Sequence, residues 1–149
     1  MRKNLFLYSP WDAKTKAYCK PREQRLSMLN PHQQFGKESE VMAAAYLKRQ
    51  GYRILETNYK NQLGEIDIIA KDMGILTFIE VKARRSDRFG NPKYAVTRKK
   101  QVRISRVALS YLKASRQMDK RARFDVVVIT RTSNVNIELV KNAFELILT

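Results

Sequence analysis

Between Glu65 and Ala83 the chain carries two apolar runs, Glu65–Lys71 (EIDIIAK) and Ile75–Ala83 (ILTFIEVKA), separated only by Asp72-Met73-Gly74. Runs of this length, rich in β-branched residues and split by a short Asp/Gly turn, predict an antiparallel hairpin. The second run is apolar at both parities, with Leu76 and Phe78 on one face and Thr77, Ile79 and Val81 on the other. It therefore reads as a buried strand. Arg123–Thr130 (RFDVVVIT) is a second nearly all-apolar run and reads as a sheet centre.

The rest of the chain supplies what such strands need. Pro31–Gln50 reads as a helix with Ala43, Ala44, Ala45, Tyr46 and Leu47 in it and Gly51 as its stop. Tyr52–Glu56 reads as a strand and Asn58–Gly64 as a polar connection. Arg84–Pro92 is a charged loop, and Thr97–Ser115 is a basic helix opened by a Thr97 cap. On that helix Val102, Ser105, Leu109 and Leu112 are expected to form the apolar stripe, and Lys99, Arg103 and Arg106 a cationic one. Val135–Val140 reads as a last strand, and Asn142-Ala143-Phe144 as the opening of a short terminal helix. The order α-β-β-β-α-β-β predicts an α/β fold, a mixed sheet flanked by helices, with two strands made parallel by the crossover through the basic helix. Residues 1–35, which include Pro10, Pro21 and Pro31, read as a basic and partly irregular arm with one short helix near 21–29, and 36–149 as the domain.

The hairpin also carries the chemistry. Glu80 and Lys82 are two apart and share one face at the end of a buried strand, where charges are costly unless something pairs them. Asp67 lies between Ile66 and Ile68 in the preceding strand, and pairing of the two strands can bring it opposite Glu80. Two close carboxylates raise each other's pKa, and a divalent cation removes that penalty. A neighbouring lysine can then position or deprotonate a water and stabilise phosphate charge. With 8 Glu and 15 Lys in the chain, a Glu-x-Lys triplet is expected about once by chance. Its placement therefore decides the reading, against the alternative of a surface pair with Asp67 as an edge-strand charge.

Composition narrows the chemistry. At 149 residues one domain is expected. No stretch approaches the ~18 apolar residues of a membrane span. The four-residue apolar stretch within Met1–Tyr8 is too short for a signal peptide, so a cytoplasmic location is expected. One cysteine, Cys19, excludes an internal disulfide framework and a cysteine-based zinc site, and Cys19 reads as inert. One histidine, His32, reads as a helix-start residue, so any metal should be a hard cation held by carboxylates. The net charge of +16 makes an anionic polymer the leading partner. It is segregated: residues 36–81 are net −1, whereas 82–106 are net +9 and 1–35 net +5. A site that holds a metal on carboxylates while cradling phosphates needs that arrangement. Charge alone does not separate it from a nucleic-acid-coating or ribosome-associated protein.

Asp67 followed by Glu80-Val-Lys82 resembles the PD-(D/E)XK nuclease signature, with Ile66 in place of its proline. The surroundings are similar to the YraN-like family of small, largely uncharacterised bacterial proteins related to archaeal Holliday-junction resolvases. The matching pieces are Gly36-x-x-x-Glu40, Gly51-Tyr-Arg-Ile-Leu55, Gly64-Glu-Ile-Asp67, Phe78-Ile-Glu-Val-Lys82, Arg88-Phe-Gly90, Lys100-Gln101, Arg123-Phe-Asp125 and Asn142-Ala-Phe144. They run in order from about 36 to 144. The arm is longer than the family usually carries, and Arg98 stands where many members have proline. The resemblance implies a restriction-endonuclease-like core and Mg²⁺- or Mn²⁺-dependent cleavage of DNA, including branched or structured DNA. It implies that Glu40, Asp67 and Glu80 bind metal, that Lys82 serves catalysis, and that Gln101 lies on the helix flanking the site. The helical face shared by Glu40, Ala43, Ala44 and Leu47 is compatible with this and equally with a partly exposed Glu40. Resolvases of this superfamily act as dimers, so a homodimer is compatible with the reading. The alternative is a non-catalytic nucleic-acid-binding module that has kept the nuclease fold.

The remaining basic residues follow the one-signed segment. Lys99, Lys100, Arg103 and Arg106 are expected at phosphates, and Arg84, Arg85 and Arg88 lie in the loop just past Lys82 where a backbone would pass. Asp125 reads as structural, with Arg123 as its partner. Trp11 and Tyr18 read as anchors of the arm.

Overall fold

In the computed structural model, residues 30–86, 90 and 92–149 are described. The readings of the arm, including Trp11, Tyr18 and Cys19, and the assignment of Arg88 lie outside them. Five strands form one sheet in the order β1-β2-β3-β4-β5. They are β1 (Arg53–Asn61), β2 (Gly64–Asp72), β3 (Ile75–Arg84), β4 (Ala122–Arg131) and β5 (Val135–Phe144). Strands β3 and β4 are parallel; the other neighbours are antiparallel. The crossover between the parallel pair is α2 (Arg98–Ala114), and α1 (Pro31–Arg49) precedes the sheet. This is the mixed-sheet α/β fold that the alternation of patterns predicts.

Each helix end has a local cause. Asn30 Oδ1 accepts the backbone N–H groups of His32 (3.1 Å) and Gln33 (2.9 Å), and Gln33 Oε1 accepts the N–H of Asn30, a reciprocal cap. His32 is thus a helix-start residue. At the other end Gly51 sits at φ 89°, and Tyr52 N–H reaches back to the Leu47 carbonyl at 3.0 Å. Glycine adopts the positive φ that this closure requires without steric cost. Thr97 caps α2 by accepting the N–H of Lys100.

The two faces of the sheet are packed separately. On one, Phe35, Ala43 and Leu47 of α1, spaced in multiples of four, meet Ile68, Ala70, Ile79, Val127 and Ile129. On the other, Ile104, Val107, Ala108 and Leu112 of α2 cover Ile69, Leu76, Phe78, Phe124, Val126 and Val128. The buried stripe of α2 is thus centred on Ile104, Val107 and Ala108, with Val102 and Leu109 only half-buried. Ser105 and Leu112 are buried as expected, so the buried face overlaps the expected stripe and is shifted from it by part of a turn toward Ile104, Val107 and Ala108. Lys99, Arg103 and Arg106 are exposed on the opposite side as expected.

The expected terminal helix at 142–144 does not form. β5 continues to Phe144, Ala143 is buried, and Phe144 stacks on Phe124 with ring centroids 4.8 Å apart. Pairing with β4 and burial of an aromatic ring outweigh a helical turn that would have exposed it.

One end of the sheet is tied by a polar cluster. Asp125 is fully buried. Its carboxylate accepts from Arg123 Nε (3.0 Å), Tyr52 Oη (3.0 Å) and Asn142 N–H (2.9 Å). Arg123 also pairs with Asp72, which takes a second cation, Lys141, at 2.9 Å. Arg123 and Lys141 hold the Asp72 carboxyl below its usual range, while burial and Asp125 push the Tyr52 phenol well up. Asp125 is structural and Arg123 is its partner, as the sequence suggests.

Candidate metal centre and nucleic-acid interface

The β2–β3 ladder pairs Ile68 with Ile79 and runs down to Asp72 opposite Ile75. Beyond Ile68 the pairing passes from main chain to side chain: Asp67 Oδ2 accepts the backbone N–H of Val81 at 2.7 Å. This fixes the carboxylate at the opening of the hairpin, beside Glu80. Ile66 joins the α2-side cluster although Ile68 belongs to the α1 side. The alternation therefore breaks at Asp67, which is where the strand turns its acid toward the site.

Glu80 is 3% exposed in the middle of the sheet. Its Oε1 pairs with Lys82 Nζ at 2.7 Å and with Lys100 Nζ at 3.1 Å. Its Oε2 is buried with no hydrogen-bond partner among the described residues. An orphaned buried carboxylate oxygen is expensive and marks a place where a cation or a donor belongs. Asp67 reports the same deficit: burial, then the charge of Glu80, push its carboxyl up to about 7, against the opposing Val81 N–H bond and the charge of Lys100. Two carboxylates in this state fit a hard divalent cation, which needs oxygen donors and neutralises both.

Glu40 stands near enough for its charge to add to the upward push on Asp67. Its own carboxylate is held by Lys37 at 3.1 Å, and Lys37 also donates to Asn58 Oδ1 at 3.1 Å. Among the described residues, no three carboxylate, imidazole or thiol groups converge as a ready-made ligand set. Gln101 turns its amide nitrogen onto the Val96 carbonyl at 2.9 Å, which secures the chain entering α2. Lys100, expected only at phosphate, instead reaches Glu80. Nothing in the pattern of adjacent lysines distinguishes it from Lys99, and the position of α2 over the sheet decides it.

The cationic rim takes varied forms. Arg84 Nη1 donates to the Gly90 carbonyl, Arg85 lies over the Phe35 ring at 5.7 Å, and Arg106 Nη2 donates to the Leu148 carbonyl. Lys60 pairs with Glu65 at 2.8 Å and lowers its pKa. The stem of Arg103 runs across Gly64, where an added Cβ would sit 2.9 Å from Arg103 Cγ, and Gly64 is at φ 147°. Gly64→Ala should therefore cost about 1–2 kcal/mol in denaturant unfolding, through backbone strain and displacement of the arginine stem.

A mixed sheet with a helix on each face, and an Asp, a Glu and a Lys gathered on its central hairpin, defines an α/β domain with a restriction-endonuclease-like core. The uncharacterised protein family UPF0102 matches residues 39–129. The UPF0102 protein of Desulfosudis oleivorans is 49% identical over 118 residues, covering 79% of this chain and 95% of the relative. That of Syntrophus aciditrophicus is 54% identical over 112 residues, covering 74% and 88%. The chain belongs to the UPF0102, or YraN-like, family.

Proposed function

We propose that the protein is a metal-dependent endonuclease that hydrolyses DNA phosphodiester bonds, with branched or structured DNA as its substrate. The observation that carries this is Glu80: a buried carboxylate with one oxygen on Lys82 and the other without a partner among the described residues, beside an Asp67 whose carboxyl is pushed up to about 7. A structural ion pair would satisfy both oxygens. Mg²⁺ or Mn²⁺ held by Asp67 and Glu80, with Glu40 as the third carboxylate, would supply Lewis-acid stabilisation of the phosphate and a more acidic water. Lys82, two residues along the same strand, orients the attacking water and neutralises charge developing on the phosphate. Arg103 and Lys99 on the exposed side of α2 hold the backbone of the nucleic acid.

The test is nicking of supercoiled plasmid and cleavage of linear, flapped and four-way DNA with Mg²⁺ or Mn²⁺. Slow cleavage is expected, abolished by Asp67→Ala or Lys82→Ala with binding largely retained. Binding without cleavage of any substrate with either metal leaves the non-catalytic binding module, and no binding at low salt removes both readings. Charge reversal at Lys99 and Arg103 together should weaken binding uniformly across sequences and reduce the salt slope by about 2. Electrophoretic or anisotropy titrations at several salt concentrations read this directly.

A further inference from the structure

We propose that Lys100 is an exchangeable counter-ion: it holds Glu80 while the site is without a cation and transfers to a phosphate when the cation enters. The inference rests on the nuclease reading only for the identity of the cation and of the phosphate. Two ammonium groups, those of Lys82 and Lys100, lie on the same oxygen of Glu80. The two lysines are tethered differently. Lys82 shares its strand and face with the carboxylate, so the backbone keeps it within reach. Lys100 comes from α2, a separate element, and its ion pair with Glu80 is the longer of the two, 3.1 Å against 2.7 Å for Lys82. A lysine stem has four rotatable carbons and a compact charge, so release requires no main-chain movement.

A divalent ion beside Oε2 would place three positive centres on one carboxylate. The repulsion is relieved by loss of the least tethered of them, Lys100. It would move toward the side of α2 where Lys99 and Arg103 are exposed. Occupation of the metal site and affinity for a phosphate would then be linked, each strengthening the other. In the metal-free protein the same contact keeps Glu80 partly neutralised and disfavours cation binding.

Titration calorimetry with Mn²⁺ alone, on the full chain without nucleic acid, tests this. Lys100→Gln and Lys100→Met should each bind Mn²⁺ about two- to fivefold tighter than wild type, the range set by losing one partly exposed ion pair. Lys100→Arg should stay close to wild type. Lys113→Gln, an exposed charge further along the same helix, should change little. The sign is diagnostic, because damage to the fold loosens a metal site. Unchanged or weaker Mn²⁺ binding in both neutral variants would overturn the proposal. A duplex oligonucleotide titrated with and without Ca²⁺ gives the second readout: Ca²⁺ should tighten binding more in wild type than in Lys100→Gln, and equal coupling would also overturn it. Failure of the wild type to bind Mn²⁺ would remove this proposal together with the metal site. Absence of DNA cleavage with the Mn²⁺ result intact would remove only the nuclease reading.

Discussion

Arg123→Met should lower the unfolding free energy by about 3–5 kcal/mol, the cost of leaving a buried charge without its partner. Asp125 is fully buried and Arg123 is its only charged partner among the described residues, while Arg123 also bridges to Asp72 and donates to Tyr52 Oη at 2.9 Å. Removing the guanidinium takes a donor from three groups at once: the Asp125 carboxylate, left with only the neutral donors Tyr52 Oη and Asn142 N–H, the Tyr52 oxygen, and one side of Asp72. Lys141 remains on Asp72, so that loss is partial. The double variant Arg123→Met/Asp125→Asn should recover part of the loss, because the amide introduced at position 125 carries no charge: its oxygen would accept from Asn142 N–H while its nitrogen donates to the Tyr52 hydroxyl that has lost Arg123. Chemical denaturation of the two single variants and the double variant measures the coupling. Additive losses would mean that the pair does not act as a unit.

Asp67→Asn should stabilise the protein above neutral pH by about 2–4 kcal/mol, with the advantage disappearing in acid. The Asp67 carboxyl is raised from 3.8 to about 7, by burial first and by the charge of Glu80 second. The folded protein therefore binds this proton more tightly than the unfolded chain does. Its stabilising contribution is complete below pH ~3.8, declines as the pH rises, and is gone above the folded value near 7. Asparagine keeps an oxygen for the Val81 N–H and has no charge to desolvate, so the variant shows no such decline. Melting curves at pH 5, 6, 7 and 8 read the difference, which should grow with pH and level off above about 7. A constant gap would place the carboxyl outside the hairpin opening. On the proposed function, a saturating divalent cation should narrow the gap at about pH 8 by stabilising the wild type alone.

Much of this was legible in the residues. Apolar runs at both parities in Ile75–Ala83 and Arg123–Thr130 specify strands buried on two faces, and helices covering them follow from the hydrophobic effect acting on any such sheet. Asp67, Glu80 and Lys82 are legible because charges at the end of a buried strand are costly enough to require an explanation. Sequence alone did not determine the rotation of α2, the extension of β5 through Phe144 or the company kept by each cation. Those depend on which groups distant in the chain meet. Lys99 and Lys100 are chemically identical neighbours, yet a turn of about 100° per residue leaves one in solvent and aims the other at Glu80. Gln101, one residue further on, is drawn to the Val96 carbonyl by a local hydrogen bond. Local periodicity marks the two helices, the buried strands and the identity of the acids; only tertiary packing, in which desolvation depends on every neighbour at once, decides that Asp67 is raised, that one oxygen of Glu80 is left over and that Lys100 belongs to the site.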